Sequence, residues 1–432
     1  MCNVSGKKIL LTNLLVLFVV VFFGNIFSTN DHEELNKKNP QISVTDFNHL
    51  KENTPEGYDW TAAFQAANDS LPNGGTINVP AGVYYIKATG VIGDRNERIK
   101  PTGGVSLGNN IELKLSPNAI LKAITNNSES YAIVRVADKS NVKISGGGII
   151  QGDRNTHKGK DGEWGYCIAL SGASNVTIKD VKVMDCWGDG IFLGAGIESG
   201  VTPSTNINIK GINANNNRRQ GISIIFADNV LISNSRFENT NGTPPSSGID
   251  LEPEIGYSVK NVQIKDSHFY NNAGFGIQVN GKVEGTKVTG NTCDQNGASG
   301  IVLYKVKDGV VKDNSCQNNS ESGIKIDNSS GVFVKGNSLE NNQTGISLVG
   351  GSNKNNLSHN TVKYNGNGIS LAGVSNNSIK SNESLLNKEY GFYVYIATSN
   401  IITNNMCKNN YKGMFVGGNY ANNTIKNNSC SK

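Results

Sequence analysis

The chain has 432 residues, of which 37% are hydrophobic, so it is long enough to bury a sizeable core. Glycine is abundant, at 50 residues, while aromatic residues make up only 7%, a profile that suits neither a helical bundle nor a disordered tail. The formal charge of +5 is small for this length, and the lysines are spread along the chain. Binding to nucleic acid, or to a membrane through a basic patch, is therefore not indicated.

The N-terminus has the pattern of an export signal. Lys7 and Lys8 precede an apolar run at 14–23, followed by small and polar residues. We therefore predict a signal peptide in residues 1–30, with an uncleaved membrane anchor as the alternative. Residues 31–41 are charged, lack apolar periodicity and are predicted to form a linker. The protein is accordingly expected to be secreted or held at the cell surface, and to meet a membrane only through an uncleaved anchor.

Residues 42–90 have the pattern of a short α/β segment. A strand leads to an amphipathic helix at about 61–71, which would bury Phe64, Ala67 and Leu71, and a second strand ends in PAGVYYI. The segment precedes the repeats described next. Because the first coil of a stacked repeat exposes its core and a strand edge, this segment is predicted to be the N-terminal cap.

A glycine followed by alternating apolar residues recurs along the rest of the chain. The motif reads GIFL at 190, GISI at 221, GIDL at 248, GIQV at 276, GIVL at 300, GIKI at 323, GISL at 345 and 368, GFYV at 391 and GMFV at 413. Such a short repeat, built from strands of period two without helical patterning, predicts stacked coils of parallel strands. Residues 91–432 are assigned to these coils, so the predicted fold is all-β.

Two further positions align within the repeat. One is apolar, at Phe269, Cys293, Cys316, Leu339, Val362, Leu385 and Cys407. The other is asparagine, at Asn272, Asn296, Asn319, Asn342, Asn365 and Asn410. Since neighbouring coils are about 4.8 Å apart, these amides could hydrogen-bond up and down the stack. The sequence therefore predicts a structural asparagine ladder.

The cysteines allow two interpretations. Two pairs occupy equivalent positions in neighbouring coils, Cys293 with Cys316 and Cys407 with Cys430, and each could form a disulfide. Leu, Val and Phe fill the same column elsewhere, which favours packing as small apolar side chains with most thiols free. Cys167 and Cys186 are not equivalent, and no zinc motif is present.

The cap and the coils together resemble the pectate-lyase-like superfamily of right-handed β-helix proteins. The N-terminal module of that superfamily typically reads V-x-D-F-G-A, then a helix with A-x-Q-x-A, then G-G-x-V-x-x-P-x-G-x-Y. The matching segments are VTDF at 44–47, AAFQAA at 62–67 and GGTINVPAGVYY at 74–85. The resemblance covers about 42–430 and implies a right-handed parallel β-helix. It leaves the chemistry open, because lyases, hydrolases, epimerases and phage tailspikes share this fold.

Two enzyme families within the superfamily can be compared with the coils. The segment GDRNTHKGKDGEWGY at 152–166 is similar to the corresponding loop of secreted mannuronan C5-epimerases. Where those enzymes carry Asp-Pro-His-Glu, this chain has GIFLGAG at 190–196. The motifs of family 28 polygalacturonases are only faintly matched, by Asp189-Gly190 and by GISI at 221–224. Neither family is matched residue by residue.

The stretch SSGIDLEPE at 246–254 places three carboxylates in five positions. Ile249 and Leu251 align with core residues of the neighbouring repeats, so Asp250 and Glu252 are predicted to point outward. Strand rise puts them about 6.6 Å apart, a separation that suits a pair of glycosidase carboxylates. Asp189, two coils earlier and about 10 Å away along the axis, is the third candidate catalytic residue.

Several neighbouring residues could bind the substrate. Arg218 and Arg219 stand one coil before the acidic strand and would favour acidic sugars. The outward face continues with Gln278, Tyr304 and Lys305 as further candidates. The alternative is that acids and arginines form an ordinary surface ion-pair cluster. Four other residues are predicted to be surface residues without a role: Glu198, Glu254, His157 and His268.

Three functions are consistent with this sequence. The first is a glycoside hydrolase that acts on an acidic polysaccharide through Asp250 and Glu252. The second is a polysaccharide lyase, in which Arg218 or Arg219 is the base and Ca²⁺ can bind the acids. The third is a non-catalytic glycan-binding or adhesive solenoid, or a phage-derived spike. No other cofactor is predicted, and the oligomeric state is open.

Overall fold

The computed structural model of the protein describes residues 39–91, 100–101, 103–197 and 201–430. The predicted signal or anchor at 1–30 and most of the predicted linker at 31–41 lie outside the described residues. Gln41, the last residue of that linker, already begins a strand. No helix in the described part of the chain is long and apolar enough to cross a bilayer.

The chain winds as a right-handed parallel β-helix, which confirms the predicted fold. Three long sheets run along the stack, and we number them sheet 1, sheet 2 and sheet 3. Within each sheet, a strand pairs with the equivalent strands of the preceding and following coils. The pairing is parallel except within the cap, where Glu52–Thr54 pairs antiparallel with Gly57–Asp59, and in a small hairpin of Gly90–Val91 with Lys100–Pro101.

The strands of the three sheets follow the chain in order. Sheet 1 contains Gln41–Ser43, Gly75–Val79, Ile111–Leu115, Ser140–Ser145, Ser174–Lys179, Ser204–Lys210, Ala227–Ser233, Val259–Lys265, Val283–Glu284, Lys287–Thr289, Val310–Lys312, Phe333–Lys335, Asn356–Ser358, Ser378–Lys380, Ile401–Thr403 and Thr424–Lys426. Sheet 2 contains Glu52–Thr54, Gly57–Asp59, Gly82–Ile86, Ala119–Ala123, Ile149–Gln151, Lys182–Met184, Asn213–Asn215, Arg236–Glu238, His268–Tyr270, Thr292–Asp294, Ser315–Gln317, Ser338–Glu340, Thr361–Lys363, Glu383–Leu385, Met406–Cys407 and Ser429–Cys430. Sheet 3 contains Val105–Ser106, Ser130–Ala137, Trp164–Ser171, Ile191–Gly194, Ile222–Ile224, Ile249–Leu251, Ile277–Asn280, Ile301–Tyr304, Ser322–Asp327, Thr344–Val349, Asn367–Ala372, Tyr390–Tyr395 and Lys412–Gly417.

The core lies between the three sheets and is built from columns of like residues. In sheet 3, Ile222 pairs in register with Ile249, and Ile249 with Ile277, and all three side chains are fully buried. Each such side chain contributes roughly 1.5–3 kcal/mol of transfer free energy when it leaves water. The apolar residues of the repeat therefore fix which face of each strand turns inward.

The glycine that opens each repeat is required by close stacking of the coils. A Cβ atom added at Gly248 would lie 2.7 Å from the carbonyl oxygen of Gly276 in the next coil. At Gly276 the same atom would lie 2.6 Å from the carbonyl of Gly300. Because real Cβ atoms do not approach a carbonyl this closely, each repeat needs glycine at this position.

The first described segment of the chain carries two helices. An α-helix at Thr61–Asp69 buries Ala63, Phe64 and Ala67, and a 3₁₀ helix at Val44–Leu50 packs beside it. The α-helix ends two residues before the predicted boundary. The strands of the cap belong to the same sheets as the coils, so the cap is the first turn of the solenoid with a helix covering its open end.

The predicted asparagine ladder is present and buried. The Asn319 side chain accepts hydrogen bonds from the backbone and side-chain amides of Asn296, and it donates to Asn342 Oδ1 and to the Cys293 carbonyl, each at 2.9–3.1 Å. The ladder also includes Asn387, which the sequence alignment missed. A second buried ladder runs beside sheet 1 through Asn291, Asn314, Asn337, Asn360, Asn382 and Asn405.

One residue of the predicted apolar column was misplaced. Val362 pairs in register with Ser384, not with Leu385, and Ser384 is fully buried. The repeat is one residue shorter at this coil, and Leu386 takes the left-handed turn position at φ 56° that Asn318 and Asn341 hold elsewhere. Asparagine is the usual non-glycine residue in that conformation, which gives a second reason for its abundance.

The cysteine prediction is wrong for two pairs and right for the third. The structure joins Cys167 to Cys186 and Cys407 to Cys430, with Cα atoms 5.6 and 4.4 Å apart. Non-equivalence of Cys167 and Cys186 in the repeat did not prevent their contact, because the loop before sheet 3 brings them together. Cys293 and Cys316 are free and buried, as the packing interpretation predicts.

Replacing Asn319 by Ala should lower the free energy of unfolding by about 1–3 kcal/mol, because buried amides and carbonyls lose their partners. Urea denaturation of the purified variant measures the change. Ser320→Ala, at the exposed neighbouring position, is the matched control and should unfold like the parent. An Asn319→Ala variant as stable as this control would show that the ladder contributes nothing.

Thiol labelling of the denatured, unreduced protein should modify Cys293 and Cys316 and leave the four bridged cysteines unmodified. Peptide mass spectrometry identifies the labelled sites. After reduction, all six cysteines of the described residues should react, which controls for accessibility. Labelling of Cys167 or Cys407 before reduction would contradict the pairing.

Candidate functional site

The outer face of sheet 3 carries the sequence-predicted acids. Ile249 and Leu251 point into the core, so the side chain of Asp250, which lies between them in sequence, is on the opposite face of the strand. Glu252 is the first residue after the strand's last residue. By register, Asp250 stacks on Ser223 of the preceding coil and Gln278 of the next. The predicted orientation of Asp250, away from the core, is confirmed.

Four acidic side chains surround one arginine on this face. Arg219 Nη1 lies 3.2 Å from Asp189 Oδ2, and Nη2 lies 2.9 Å from Glu252 Oε1. Arg219 Nε faces Glu163 Oε2 at 3.7 Å. Asp250 lies behind Glu252 and interacts with the same charges. We call these five residues the Arg219 cluster.

Exposure divides the acids of the Arg219 cluster into two kinds. The side chains of Glu252 and Glu163 are 22% and 33% exposed. Asp189 and Asp250 are fully buried. The prediction that Asp250 forms an accessible pair with Glu252 is therefore wrong, because the neighbouring coils and loops enclose this part of the sheet.

The buried acids are held by hydrogen bonds. Gln220 Nε2 donates to Asp250 Oδ2 at 3.2 Å, and Asn280 Nδ2 donates to Asp250 Oδ1 at 3.1 Å. Ser223 Oγ donates to Glu252 Oε1 at 2.8 Å. These contacts fix the carboxylates of Asp250 and Glu252.

Burial controls the charge of the cluster. It raises the pKa of Asp189 from 3.8 to about 7, against the opposing effect of Arg219. It also raises the pKa of Asp250 well above its usual value, and the nearby charge of Glu252 adds to this effect. The surrounding acids raise the pKa of Arg219, so its guanidinium stays protonated. The cluster therefore combines a protonated guanidinium, two buried acids whose pKa values are raised and two accessible acidic side chains.

Aromatic rings border the cluster. Tyr166, in the same register column as Asp189, stacks on Phe192 with ring centroids 4.6 Å apart. Trp164 packs against the same small cluster at the start of its strand. Part of each of Trp164 and Phe192 remains accessible. Such rings give an apolar surface beside the carboxylates on which a sugar ring can lie.

Arg218 lies outside the Arg219 cluster. Its guanidinium stacks 3.8 Å from the Trp187 ring and donates to the carbonyls of Gly162 and Trp187. Of the two arginines predicted to bind substrate, Arg219 therefore contacts the acids and Arg218 does not. Its contacts hold the loop that carries Glu163 against the coils.

His157 is a second correction, because its side chain is 0% exposed and not on the surface. Its Nδ1 lies 2.9 Å from Asp153 Oδ2, and its ring stacks on Trp187 with centroids 3.9 Å apart. The Tyr131 hydroxyl also hydrogen-bonds Asp153. These contacts anchor the start of the 152–166 loop in the interior. Glu254 is exposed and His268 partly exposed, as predicted, and Glu198 lies outside the described residues.

The remaining predicted binding residues lie further along the same face. Gln278 accepts a hydrogen bond from Ser247 Oγ at 3.2 Å and is one coil from Asp250. Tyr304 follows Asn280 in the next coil, and Lys305 Nζ lies 4.7 Å from its ring centroid. The structure thus places Gln278 beside the cluster and Tyr304 with Lys305 beyond it.

Sequence reasoning missed Glu163, although the signal for it was available. The 152–166 segment is similar to an enzyme loop and contains three acids, but that similarity does not indicate which of them reaches sheet 3. Glu163 lies more than fifty residues before Arg219, so strand alternation could not bring the two together. Only the path of the loop over sheet 3 shows the contact.

In the described ranges, no group of three His, Cys, Asp or Glu side chains is arranged to hold a metal ion. Arg219 occupies the centre of the one dense group of acids on sheet 3, where a cation would otherwise bind.

Comparison with protein families identifies the chain. The family described as "Right handed beta helix region" matches residues 82–249 and 195–362, which together span more than half of the sequence. The chain belongs to this right-handed β-helix family. Residues 319–432 also match the family described as "Periplasmic copper-binding protein (NosD)". That segment contains one histidine, His359, and its two cysteines are joined to each other, so the described residues do not fit a copper site.

Two relatives come from Bacillus subtilis (strain 168). The uncharacterized protein YclG is 33% identical over 258 residues, which cover 54% of this chain and 44% of YclG. The SPbeta prophage-derived uncharacterized protein YorA is 30% identical over 226 residues, which cover 49% of this chain and 37% of YorA. The match thus spans less than half the length of either relative.

Solved structures share the fold at low sequence identity. The mannuronan C-5 epimerase AlgE4 A-module of Azotobacter vinelandii superposes with a TM-score of 0.60 at 16% identity, covering 88% of this chain and 99% of that one. For the HK620 tailspike of an E. coli bacteriophage the TM-score is 0.56 at 15% identity, covering 84% and 71%. The family 28 exopolygalacturonase of Yersinia enterocolitica gives 0.53 at 13%, covering 90% and 79%. These likenesses show the fold alone.

The raised pKa of Asp189 predicts a pH dependence of stability. The native state holds the proton of Asp189 more tightly than the unfolded chain does, so this contribution to stability falls as pH rises from about 4 to about 7. Asparagine cannot titrate. The free energy of unfolding of the wild type, minus that of Asp189→Asn, should therefore decrease across this window by up to about 1.4 kcal/mol per pH unit.

Urea denaturation between pH 4 and pH 8 measures this difference. Asp161→Asn, which removes an exposed acid from the neighbouring loop, is the control. A difference for Asp189→Asn that stays constant, or that grows with pH, would contradict a raised native pKa.

Proposed function

We propose that the protein is an exported glycoside hydrolase that cleaves a polysaccharide at the Arg219 cluster. The observation that carries this proposal is the pair of accessible carboxylates, Glu163 and Glu252, at one guanidinium. Glu163 Oε2 lies 3.7 Å from Arg219 Nε and Glu252 Oε1 lies 2.9 Å from Nη2, so both acids can face one bound sugar, as a glycosidase pair requires. The shared fold of the polysaccharide-acting epimerase and exopolygalacturonase supports a carbohydrate substrate.

Glu163 and Glu252 share the acid and base or nucleophile roles. One protonates the leaving glycosidic oxygen, and the other activates water or attacks the anomeric carbon. Asp189 and Asp250 do not reach the substrate. They are positioning residues, since Asp189 pairs with Arg219, and Gln220 and Asn280 hold Asp250 on the same face as Glu252.

The charge of the site favours a neutral sugar at the point of cleavage. Arg219 is surrounded by carboxylates, and Arg218 is occupied by Trp187 and two carbonyls. Neither guanidinium is available to pair with a uronate. The sequence-based expectation of an acidic substrate assumed that both arginines were free to bind it. We therefore revise the proposed substrate to an uncharged polysaccharide.

The same contacts speak against a lyase. A lyase base must lose its proton, and the acids around Arg219 raise its pKa. Glycan binding without cleavage is the second candidate, and the burial of Asp189 and Asp250 favours it. Export is supported by the two disulfides, which persist in oxidising compartments.

Incubation with soluble polysaccharides tests the reaction class. Xylan, galactomannan and barley β-glucan represent neutral substrates, while polygalacturonate and alginate represent acidic ones. New reducing ends without a gain in ultraviolet absorbance are expected on a neutral polymer. A parallel gain in absorbance would establish elimination instead, and binding without either signal would establish the non-catalytic function.

On the polymer that is cleaved, Glu252→Gln and Glu163→Gln should each reduce kcat at least about a hundredfold, because each removes one acid or base. Glu254→Gln is the matched control, since this exposed acid stands two residues from Glu252. It should keep turnover within a few fold. Melting temperatures check that each variant folds.

One further variant separates the two possible pairs. If Asp250→Asn abolishes turnover while Glu163→Gln does not, the catalytic pair is Asp250 with Glu252, and the buried acid must become accessible when substrate binds. Loss in Glu163→Gln with retention in Asp250→Asn is the outcome we expect.

A further inference from the structure

The outward columns of sheet 3 that carry the acids continue to the last coils, where they reach aromatic residues. The column of Asp189 leads to Tyr390, the column of Asp250 to Tyr393, and the column of Glu252 to Tyr395. All three belong to the strand Tyr390–Tyr395, whose core-facing residues are Phe392 and Val394. The face that holds the Arg219 cluster is therefore the face that holds these rings.

The rings form one continuous surface. Tyr393 stacks on Phe415 of the following coil, with centroids 5.2 Å apart and planes 13° apart. Tyr390 lies 5.5 Å from both rings, and Tyr395 lies 6.2 Å from Tyr393. We call these four residues the aromatic platform. The stacking fixes the rings before any ligand binds.

A cation and a more exposed ring border the aromatic platform. Lys412 Nζ lies 5.5 Å from the Tyr390 centroid and 5.7 Å from that of Tyr411. The Tyr411 side chain is 71% exposed. The phenol hydroxyls and this ammonium supply polar groups at the edge of an apolar surface.

The outward face between the acids and the aromatic platform changes along the stack. In the three coils after Asp250 it carries larger polar side chains, among them Gln278, Tyr304, Lys325 and Asp327. In the two coils that precede the platform, the outward positions of sheet 3 hold small or medium side chains: Thr344, Ser347, Val349, Asn367, Ser370 and Ala372. From the strand of Asp250 to the strand of Tyr393 there are six steps of the sheet, or about 29 Å. An extended polymer could follow this face over the whole distance.

We propose that the aromatic platform is a second polysaccharide-binding site, which holds a distant segment of the polymer cleaved at the Arg219 cluster. The C–H face of a pyranose ring packs on an aromatic ring, and its hydroxyls find the phenols and Lys412 at the edge. The ligand class rests on the proposed function. The occupant is assigned by continuity, because both sites share one face and one register, and polar side chains line the coils between them.

Binding is measured in the Glu252→Gln background, so that the polymer stays intact. Electrophoresis through gels containing xylan, galactomannan or β-glucan should show retardation by at least one polymer. Adding Tyr393→Ala and Phe415→Ala should weaken this binding at least about fivefold, as expected for the loss of two ring contacts. Phe333→Ala is the matched control, because Phe333 is a 55% exposed ring on sheet 1, and it should bind like the parent.

A second measurement separates this proposal from the proposed function. With active Glu252, the two platform substitutions should raise KM for the polymer and leave the turnover of a tetrasaccharide unchanged, because so short a ligand cannot span the two sites. If Glu252→Gln keeps full activity, the hydrolase assignment fails, while the loss of binding in the platform variant still establishes the platform.

Three outcomes would overturn the platform proposal. If none of the three polymers retards the protein, the proposed ligand is not a neutral polysaccharide. If the platform variant binds as tightly as the parent, the aromatic platform is not the binding site. The third is a dimer in sedimentation analysis that dissociates on Phe415→Ala, because the rings would then form an interface between two copies of the chain. Matching melting temperatures for the platform and Phe333→Ala variants exclude unfolding as the cause of any loss.

Discussion

The in-register stacking of coils about 4.8 Å apart is the constraint on which the rest of the molecule depends. It admits only glycine where one backbone passes against the next, as at Gly248, and it aligns the asparagines so that each amide bonds its neighbours. Every coil must also turn the same positions inward. Outward positions are free of this requirement, so chemistry can be placed there without disturbing the core.

The Arg219 cluster shows what that freedom allows. Glu252 and Asp250 come from one strand, Arg219 from the coil before it, and Asp189 from the coil before that. Glu163 comes from a loop anchored by His157 and Arg218. A fixed stack of strands thus holds three of the acids, while a loop brings the fourth to the same guanidinium. The burial that results raises the pKa of two of the acids and leaves the other two accessible.

The sequence was sufficient for the architecture and for part of the site. Glycine spacing and strand alternation are local periodic signals, so they gave the coils, the cap, the asparagine ladder and the facing of Asp250. Other features of the site depend on loops, whose sequences do not repeat along the chain. These features are the burial of Asp250, the different contacts of Arg218 and Arg219, and the position of Glu163 beside Arg219. The same limit applies to Cys167 and Cys186, which are not equivalent in the repeat and are joined only by the path of a loop. Leu385 was misplaced because one coil is a residue short.

The bridge from Cys407 to Cys430 has a mechanical consequence. Neighbouring coils of a solenoid are otherwise held together only by hydrogen bonds and packing, so load can separate one coil from the next. A polymer bound by Tyr393 and Phe415 would pull on these coils whenever its far end was attached to a solid surface. The disulfide transmits the pulling force to the preceding coil. The strands of these two coils therefore resist separating from each other one at a time. In a reducing medium the same grip would become the point at which the protein unravels.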